Sequence, residues 1–218
     1  MFTNAYVTNS GAEVTVAATS SGGNNSAYAG GITGMGSKDS VIANCYAVGK
    51  IGAFSPKSSN FGGMAGGIAA MYAGKQYNVY TDCDIEVNNN KSVHQWIGGI
   101  NGQLTAAVLE NYAVYGYYTT DASQKINGTA LPMTQAVGVP GTSLKVGVSS
   151  EFAGCSKESM KSDDFAEKMN SNIVSAKKIA NSLSVNDIKW NEWSYSKEKQ
   201  RIVINNKEYI SDKISTDI

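Results

Sequence analysis

The sequence predicts an all-β chain folded as a parallel β-helix, a solenoid over residues 1–150 followed by a small α+β capping segment over 151–218. Three observations carry this prediction. The tetrapeptide AGGI at 29–32 returns at 65–68 and, as IGGI, at 97–100, with spacings of 36 and then 32 residues. Self-similarity at such periods marks units that cannot bury an apolar face alone and must stack. Twenty-three glycines against three prolines describe a chain that turns often and brings backbones close. Charge then divides the 218 residues: the first 150 carry seven acidic and seven basic side chains, the last 68 carry 11 and 11, placing a boundary near residue 150.

Each glycine pair is followed by a second element: IANCYAVG at 42–49, YTDCDIEV at 80–87 and LENYAVYG at 109–116. Partial alternation with β-branched and aromatic residues, bounded by Gly, Asn and Ser, reads as strand, turn, strand. TNAYVTNSG at 3–11 reads as the second half of a further copy, so the chain begins inside a repeat. Superposing tyrosines aligns Tyr6, Tyr46 and Tyr112, with Asp84 in the same slot, and puts Ala5, Cys45, Cys83 and Asn111 in the slot before. Neighbouring strand residues face opposite ways. The small column is therefore expected inside and the Tyr/Asp column outside, although Ile42 and Cys45 share a face only if a bulge intervenes. The glycine pairs are expected at sharp corners, where a positive φ or the absence of Cβ is needed.

Beyond residue 150, SDDFAEKM has an N-capping Ser162, acids in the first turn, and Phe165 and Met169 at i and i+4, which predicts a short helix. IVSAKKIANSL predicts a second helix, and DIKWNEWSYSKEKQRIVINNKEYI a strand, polar turn and strand, with Trp190 and Trp193 placed to cover an apolar surface. A solenoid needs its exposed end capped, and this segment is the candidate.

The repeated elements AGGITG…VIANCYAVG, AGGIAA…TDCDIEV and IGGING…LENYAVYG resemble the GLUG motif, over about residues 1–120. The first copy is close to the motif. The second departs, with Ala70 for the last glycine and TDCDIE for NCYAVG, and the third keeps Tyr112-Ala113-Val114. That motif occurs in tandem in bacterial surface and secreted proteins, including adhesin-like proteins and regions accompanying IgA-specific metallopeptidases. The resemblance implies a right-handed β-helix outside the cell, part of a larger polypeptide, and no chemistry at these positions.

Function classes follow from composition and motifs. The 18 basic and 18 acidic residues balance, which leaves no electrostatic case for nucleic acid or an anionic membrane. No apolar run reaches membrane-spanning length, so no membrane insertion is expected, and the first residues carry no export signal. Cys45, Cys83 and Cys155 form no C-x-x-C pair and read as small buried residues. GGITGMG lacks the Lys and Ser/Thr of a phosphate loop. The single histidine, His94, leaves no H-E-x-x-H pair. The only arginine, Arg201, sits outside the repeats, whereas β-helical lyases use one on the solenoid, and the Asp-Asp and Gly-His-Gly elements of β-helical hydrolases are absent.

Two constellations remain. Asp82, Asp84 and Glu86 alternate and project from one strand face, where they present a solvated acidic row, possible calcium ligands, or paired carboxylates. Tyr46, Asp84 and the cluster Tyr112, Tyr115, Tyr117 and Tyr118 form the candidate ligand-binding face, with a ladder underlying the cap as the alternative use of the tyrosines. The expected function is a non-catalytic module of an exported bacterial protein, acting as a spacer or in adhesion to a host or matrix glycan or protein. An accessory region of an IgA-type metallopeptidase or a degenerate polysaccharide-degrading β-helix is the alternative.

Overall fold

A computed structural model describes residues 5–21, 25–55, 62–88, 96–104, 113–138 and 152–210. Two strands, β1 (Tyr6–Thr8) and β2 (Gly11–Thr19), precede the first full coil, which is made of β3 (Ala27–Gly30), β4 (Thr33–Gly36) and β5 (Val41–Phe54). The second coil repeats the pattern with β6 (Gly63–Gly66), β7 (Ala69–Tyr72) and β8 (Lys75–Val87). The third contains β9 (Ile97–Gly98), β10 (Asn101–Leu104), β11 (Ala113–Thr119) and β12 (Gln124–Ile126). Then come β13 (Thr129–Leu131), β14 (Phe152–Cys155), helix α1 (Asp163–Ser182), β15 (Asn191–Ser196) and β16 (Arg201–Glu208).

Three parallel stacks make the solenoid of about three turns: β3-β6-β9, β4-β7-β10, and a long sheet in which β1 and β2 pair with β5, β5 with β8, and β8 with β11 and β12. Strand β14 extends the long sheet beyond β11, so residues C-terminal to 150 return to it before the chain leaves for α1.

The register differs from the tyrosine superposition. Cys45 lies beside Val79 and Tyr46 beside Tyr80, and Tyr80 in turn lies beside Tyr117. The outer column is therefore Tyr46, Tyr80 and Tyr117. Asp84 stands beside Lys50, Cys83 beside Gly49, and Tyr6 beside Val41. Several tyrosines in each later copy allow more than one superposition, and only backbone pairing selects one.

The question of parity is resolved by one residue per coil. Asn44 and Asn78 occupy the left-handed region at φ 55° and 50°, and Tyr115 does so at 58° in the third coil. Asn9, at 48°, holds the same position in the partial coil. A left-handed residue puts two consecutive side chains outside, so Ile42 and Cys45 both enter the core while Ala43 and Asn44 face out. Asparagine tolerates this conformation better than other non-glycine residues do.

The asparagines also bond to one another. Asn44 Nδ2 donates to Asn9 Oδ1 at 2.7 Å, and Asn78 Nδ2 to Asn44 Oδ1 at 2.9 Å. The C-terminal segment attaches to this ladder. Asn44 Nδ2 reaches the Asn191 carbonyl at 2.9 Å, Asn78 Nδ2 the Met169 carbonyl at 3.1 Å, and Trp193 Nε1 donates to Asn44 Oδ1.

Inside the solenoid, Cys45, Val79, Cys83, Ile51, Ile85 and the corner residues Ile68 and Ile100 form the core. The expectation that Cys45 and Cys83 lie inside holds. Burial pushes the Cys45 thiol up to about 12 and that of Cys83 further still. The glycine pairs do stand at the corners, but none is at positive φ. They are required by crowding: a Cβ on Gly31 would lie 2.4 Å from the Gly67 carbonyl oxygen, and one on Gly67 2.3 Å from that of Gly99.

Helix α1 is a single helix that absorbs both predicted helical segments. Ser162 Oγ accepts from the Phe165 N–H at 3.1 Å, and Phe165, Met169, Ile173, Ala176 and Ala180 form its buried stripe. The predicted strand pair is the β15–β16 antiparallel hairpin. Helix and hairpin cover the flank of the long sheet, across coils, where an end cap was expected.

Replacing Asn78 with Ala removes two buried hydrogen bonds and strains a left-handed backbone, for an expected loss of about 3 kcal/mol. Asn78→Gly keeps the backbone relaxed and is expected to cost about 1 kcal/mol less; urea unfolding of the two variants checks the order. Thiol labelling at pH 8 should modify the half-buried Cys155 in the native protein, and Cys45 and Cys83 only after denaturation.

Candidate binding face

The outer face of the long sheet has two halves. On the first, Val41, Ala43, Tyr46, Tyr77, Tyr80, Val114 and Tyr117 are apolar and covered. Tyr46 and Tyr80 stack with ring centroids 5.2 Å apart and planes 11° from parallel. The Trp193 ring sits 6.1 Å from Tyr46 and 5.6 Å from Tyr80, and Phe165 meets Tyr80 and Tyr117 edge-on at 5.9 and 5.4 Å. Two phenols of this layer are engaged from the C-terminal side: Tyr80 Oη donates to the Ile202 carbonyl at 2.7 Å, and Tyr117 Oη accepts from Asn172 Nδ2 at 2.9 Å. Burial raises the Tyr80 phenol well above its ordinary range.

The expected tyrosine recognition surface is thereby corrected. Tyr46 is only 6% exposed, under the hairpin. Tyr117 is buried under the helix, and Tyr118 points the other way, into the solenoid core, its ring against Gly99. Tyr115 is the left-handed residue of its coil and packs half-buried beside the same cover. Tyr112 lies outside the described residues, as do Asn111 and His94. A row of flat rings one strand apart is an apolar surface, and an amphipathic helix with a Trp-bearing hairpin removes it from water.

The second half of the face is charged and, among the described residues, uncovered. Asp82, Asp84 and Glu86 do alternate outward along β8. Each meets a different neighbour: Asp82 pairs with Lys157 at 2.9 Å, Asp84 accepts from the Ser123 N–H at 2.8 Å and stands beside Lys50, and Glu86 stands beside Lys125. Along a strand, alternate side chains are about 6.6 Å apart. The three carboxylates therefore do not converge, and among the described residues no group of three or more His, Cys, Asp or Glu side chains is placed to hold a metal ion.

A groove of about 280 Å³ runs across these rows, with Thr15, Lys50, Gly52, Phe54, Asp84 and Glu86 in its walls. Gly52 makes room for it: a Cβ there would fall 2.6 Å from the Phe54 ring, which lies over the strand. A second depression of about 460 Å³ continues it past Asp82 and Lys157 to Glu13 and Arg201. Glu13 there bonds Lys199 at 2.9 Å and Arg201 at 3.0 Å, which ties β2 to the hairpin. The Lys199 hydrogen bond holds the Glu13 carboxyl below its usual range against the opposing effect of desolvation, and the Arg201 charge adds to the lowering.

A different surface has a sequence signal that the motif reading passed over. Two residues before each glycine pair stand Tyr28, Met64 and Trp96, an outward column on β3-β6-β9. They border a wide depression of about 780 Å³ together with Met71, Gln103 and Asn25. Large side chains at a fixed offset from the repeated glycines were visible in the sequence.

Tyr80→Ala should lower stability by about 4 kcal/mol through the cavity it leaves, and Tyr80→Phe by about 1 kcal/mol through the orphaned Ile202 carbonyl. In both, Trp193 fluorescence should change before the far-ultraviolet signal of the solenoid does. No family model, curated protein or solved structure matches the chain.

Proposed function

We propose that the chain is a non-catalytic β-solenoid module of a larger exported bacterial protein, presenting a polar recognition face to a host or matrix protein or glycan. The observation that carries this reading is the uncovered half of the long sheet. It sets Lys50 beside Asp84 and Lys125 beside Glu86 around a groove that exposes part of the Phe54 ring. Cross-strand rows of opposite charge around an aromatic suit a partner surface of matching mixed charge, where complementarity sets orientation and specificity. The GLUG-like repeats support export and membership of a surface protein, with a metallopeptidase-associated region as the alternative parent.

A glycan reading rests on a different observation. Tyr28, half-buried, and the exposed Asn25 bring a ring edge and an amide to one depression, the combination that stacks on sugar rings and bonds their hydroxyls. Protein and glycan arrays separate the two. Lys50→Glu with Phe54→Ala should abolish capture of a protein partner by more than tenfold, and Tyr28→Ala should abolish capture of a glycan. Binding unchanged by both sets, or no binding by the parent chain, rejects the recognition reading.

A further inference from the structure

The charges inside the groove differ from those at its rim. At the rim, Asp82 is paired with Lys157, and Glu13 with Lys199 and Arg201. In the groove, Lys50, Glu86 and Lys125 make no ion pair or hydrogen bond with any described residue, although the register sets Lys50 beside Asp84 and Glu86 beside Lys125. Asp84 uses one oxygen to accept from the Ser123 N–H and keeps the other open. Glu86 is half-buried, where a carboxylate without a counter-charge is costly. These groups are available to a ligand.

Strand pairing fixes where they stand. Neighbouring strands are about 4.8 Å apart, and alternate residues along a strand about 6.6 Å. Lys50 on β5 and Lys125 on β12 are separated by two strand spacings and one alternate step, so their backbones lie about 12 Å apart at opposite corners. The line between them crosses β8 between Asp84 and Glu86. Beside that line the Phe54 ring lies over Gly52, the cross-strand partner of Glu86. The centre of the groove is therefore two carboxylates and an aromatic ring, and its ends are cationic. Such a centre suits a guanidinium, which stacks on aromatics and takes carboxylates with its planar fork.

We infer that the groove recognises an extended segment of a partner protein in which an arginine stands between two acidic residues at alternate positions, acid-x-Arg-x-acid; this rests on the recognition reading above. In an extended segment residues i, i+2 and i+4 share one face, with i and i+4 about 13 Å apart. That span matches the two lysines, and it sets the arginine over Asp84, Glu86 and Phe54. A cation alone is opposed by both lysines and an anion alone by both acids. The groove thus selects an order of charges rather than a net charge.

Fluorescence anisotropy with the labelled peptide Gly-Asp-Thr-Arg-Thr-Asp-Gly should show binding roughly tenfold tighter than with Gly-Asp-Arg-Asp-Thr-Thr-Gly, which has the same composition but turns the arginine to the other face. Binding should weaken as salt is raised. Phe54→Ala and Glu86→Gln should each weaken it roughly fivefold. Gly52→Ala keeps every charge but places a Cβ 2.6 Å from the ring, and should weaken it as well. Lys50→Glu with Lys125→Glu should lose the first peptide and prefer Gly-Lys-Thr-Arg-Thr-Lys-Gly over its own permutation Gly-Lys-Arg-Lys-Thr-Thr-Gly, a switch that loss of fold cannot produce. Equal affinity for a peptide and its permutation, no binding at millimolar peptide, or affinity unchanged in Phe54→Ala or Glu86→Gln overturns the inference. A protein captured on the arrays through Lys50 and Phe54 while the first peptide fails to bind overturns it too, and leaves the recognition reading standing.

Discussion

A left-handed residue at the same place in every coil sets the shape of everything outside the core. Without it, strict alternation would send Ile42 and Cys45 to opposite faces and leave the core half polar. With it, each coil gains an extra outward side chain, and in three of the four positions that side chain is an asparagine. The amides then repeat at the spacing of the coils, close enough to bond in series from Asn9 through Asn44 to Asn78. The same row supplies the acceptors and donors that hold Trp193, Asn191 and Met169. One backbone device therefore aligns the coils and anchors the chain that follows them.

Attachment of the C-terminal segment decides which part of the long sheet can meet anything else. Helix α1 and the hairpin sit where the outward residues are tyrosine and valine, and they stop where those residues become Glu13, Lys50, Asp82 and Asp84. The ion pairs from Glu13 to Lys199 and Arg201, and from Asp82 to Lys157, mark that border. Exposed pairs of this kind contribute little stability individually. Their position at the rim matters more, because they orient the hairpin at the mouth of the charged groove.

Much of the architecture was legible in the residues. Paired glycines followed by isoleucine identify corners where the next coil leaves no space for a Cβ, and the capping Ser162 with its acidic first turn identifies the helix start. The register was not legible, because Tyr77, Tyr80, Tyr115, Tyr117 and Tyr118 offer several superpositions on Tyr46, and hydrogen-bond pairing alone distinguishes them. The third coil hides the ladder further by placing Tyr115 where the earlier coils have asparagine. The alternating acids were read on the correct face, yet their partners, Lys157 and the Ser123 backbone, are 75 and 39 residues away in the chain.

By itself the sequence determined the repeat, the parallel stack it demands, the helix and the hairpin, since each depends on local spacing of glycine, apolar and capping residues. Only the tertiary structure decided the fate of the outward tyrosines. Whether Tyr46 meets solvent or protein depends on where a segment some 150 residues later comes to rest, and no local pattern encodes that distance. It placed Tyr46 and Tyr117 in a second core and left the charged half of the same sheet, with Lys50, Phe54 and Asp84, around a groove outside that cover.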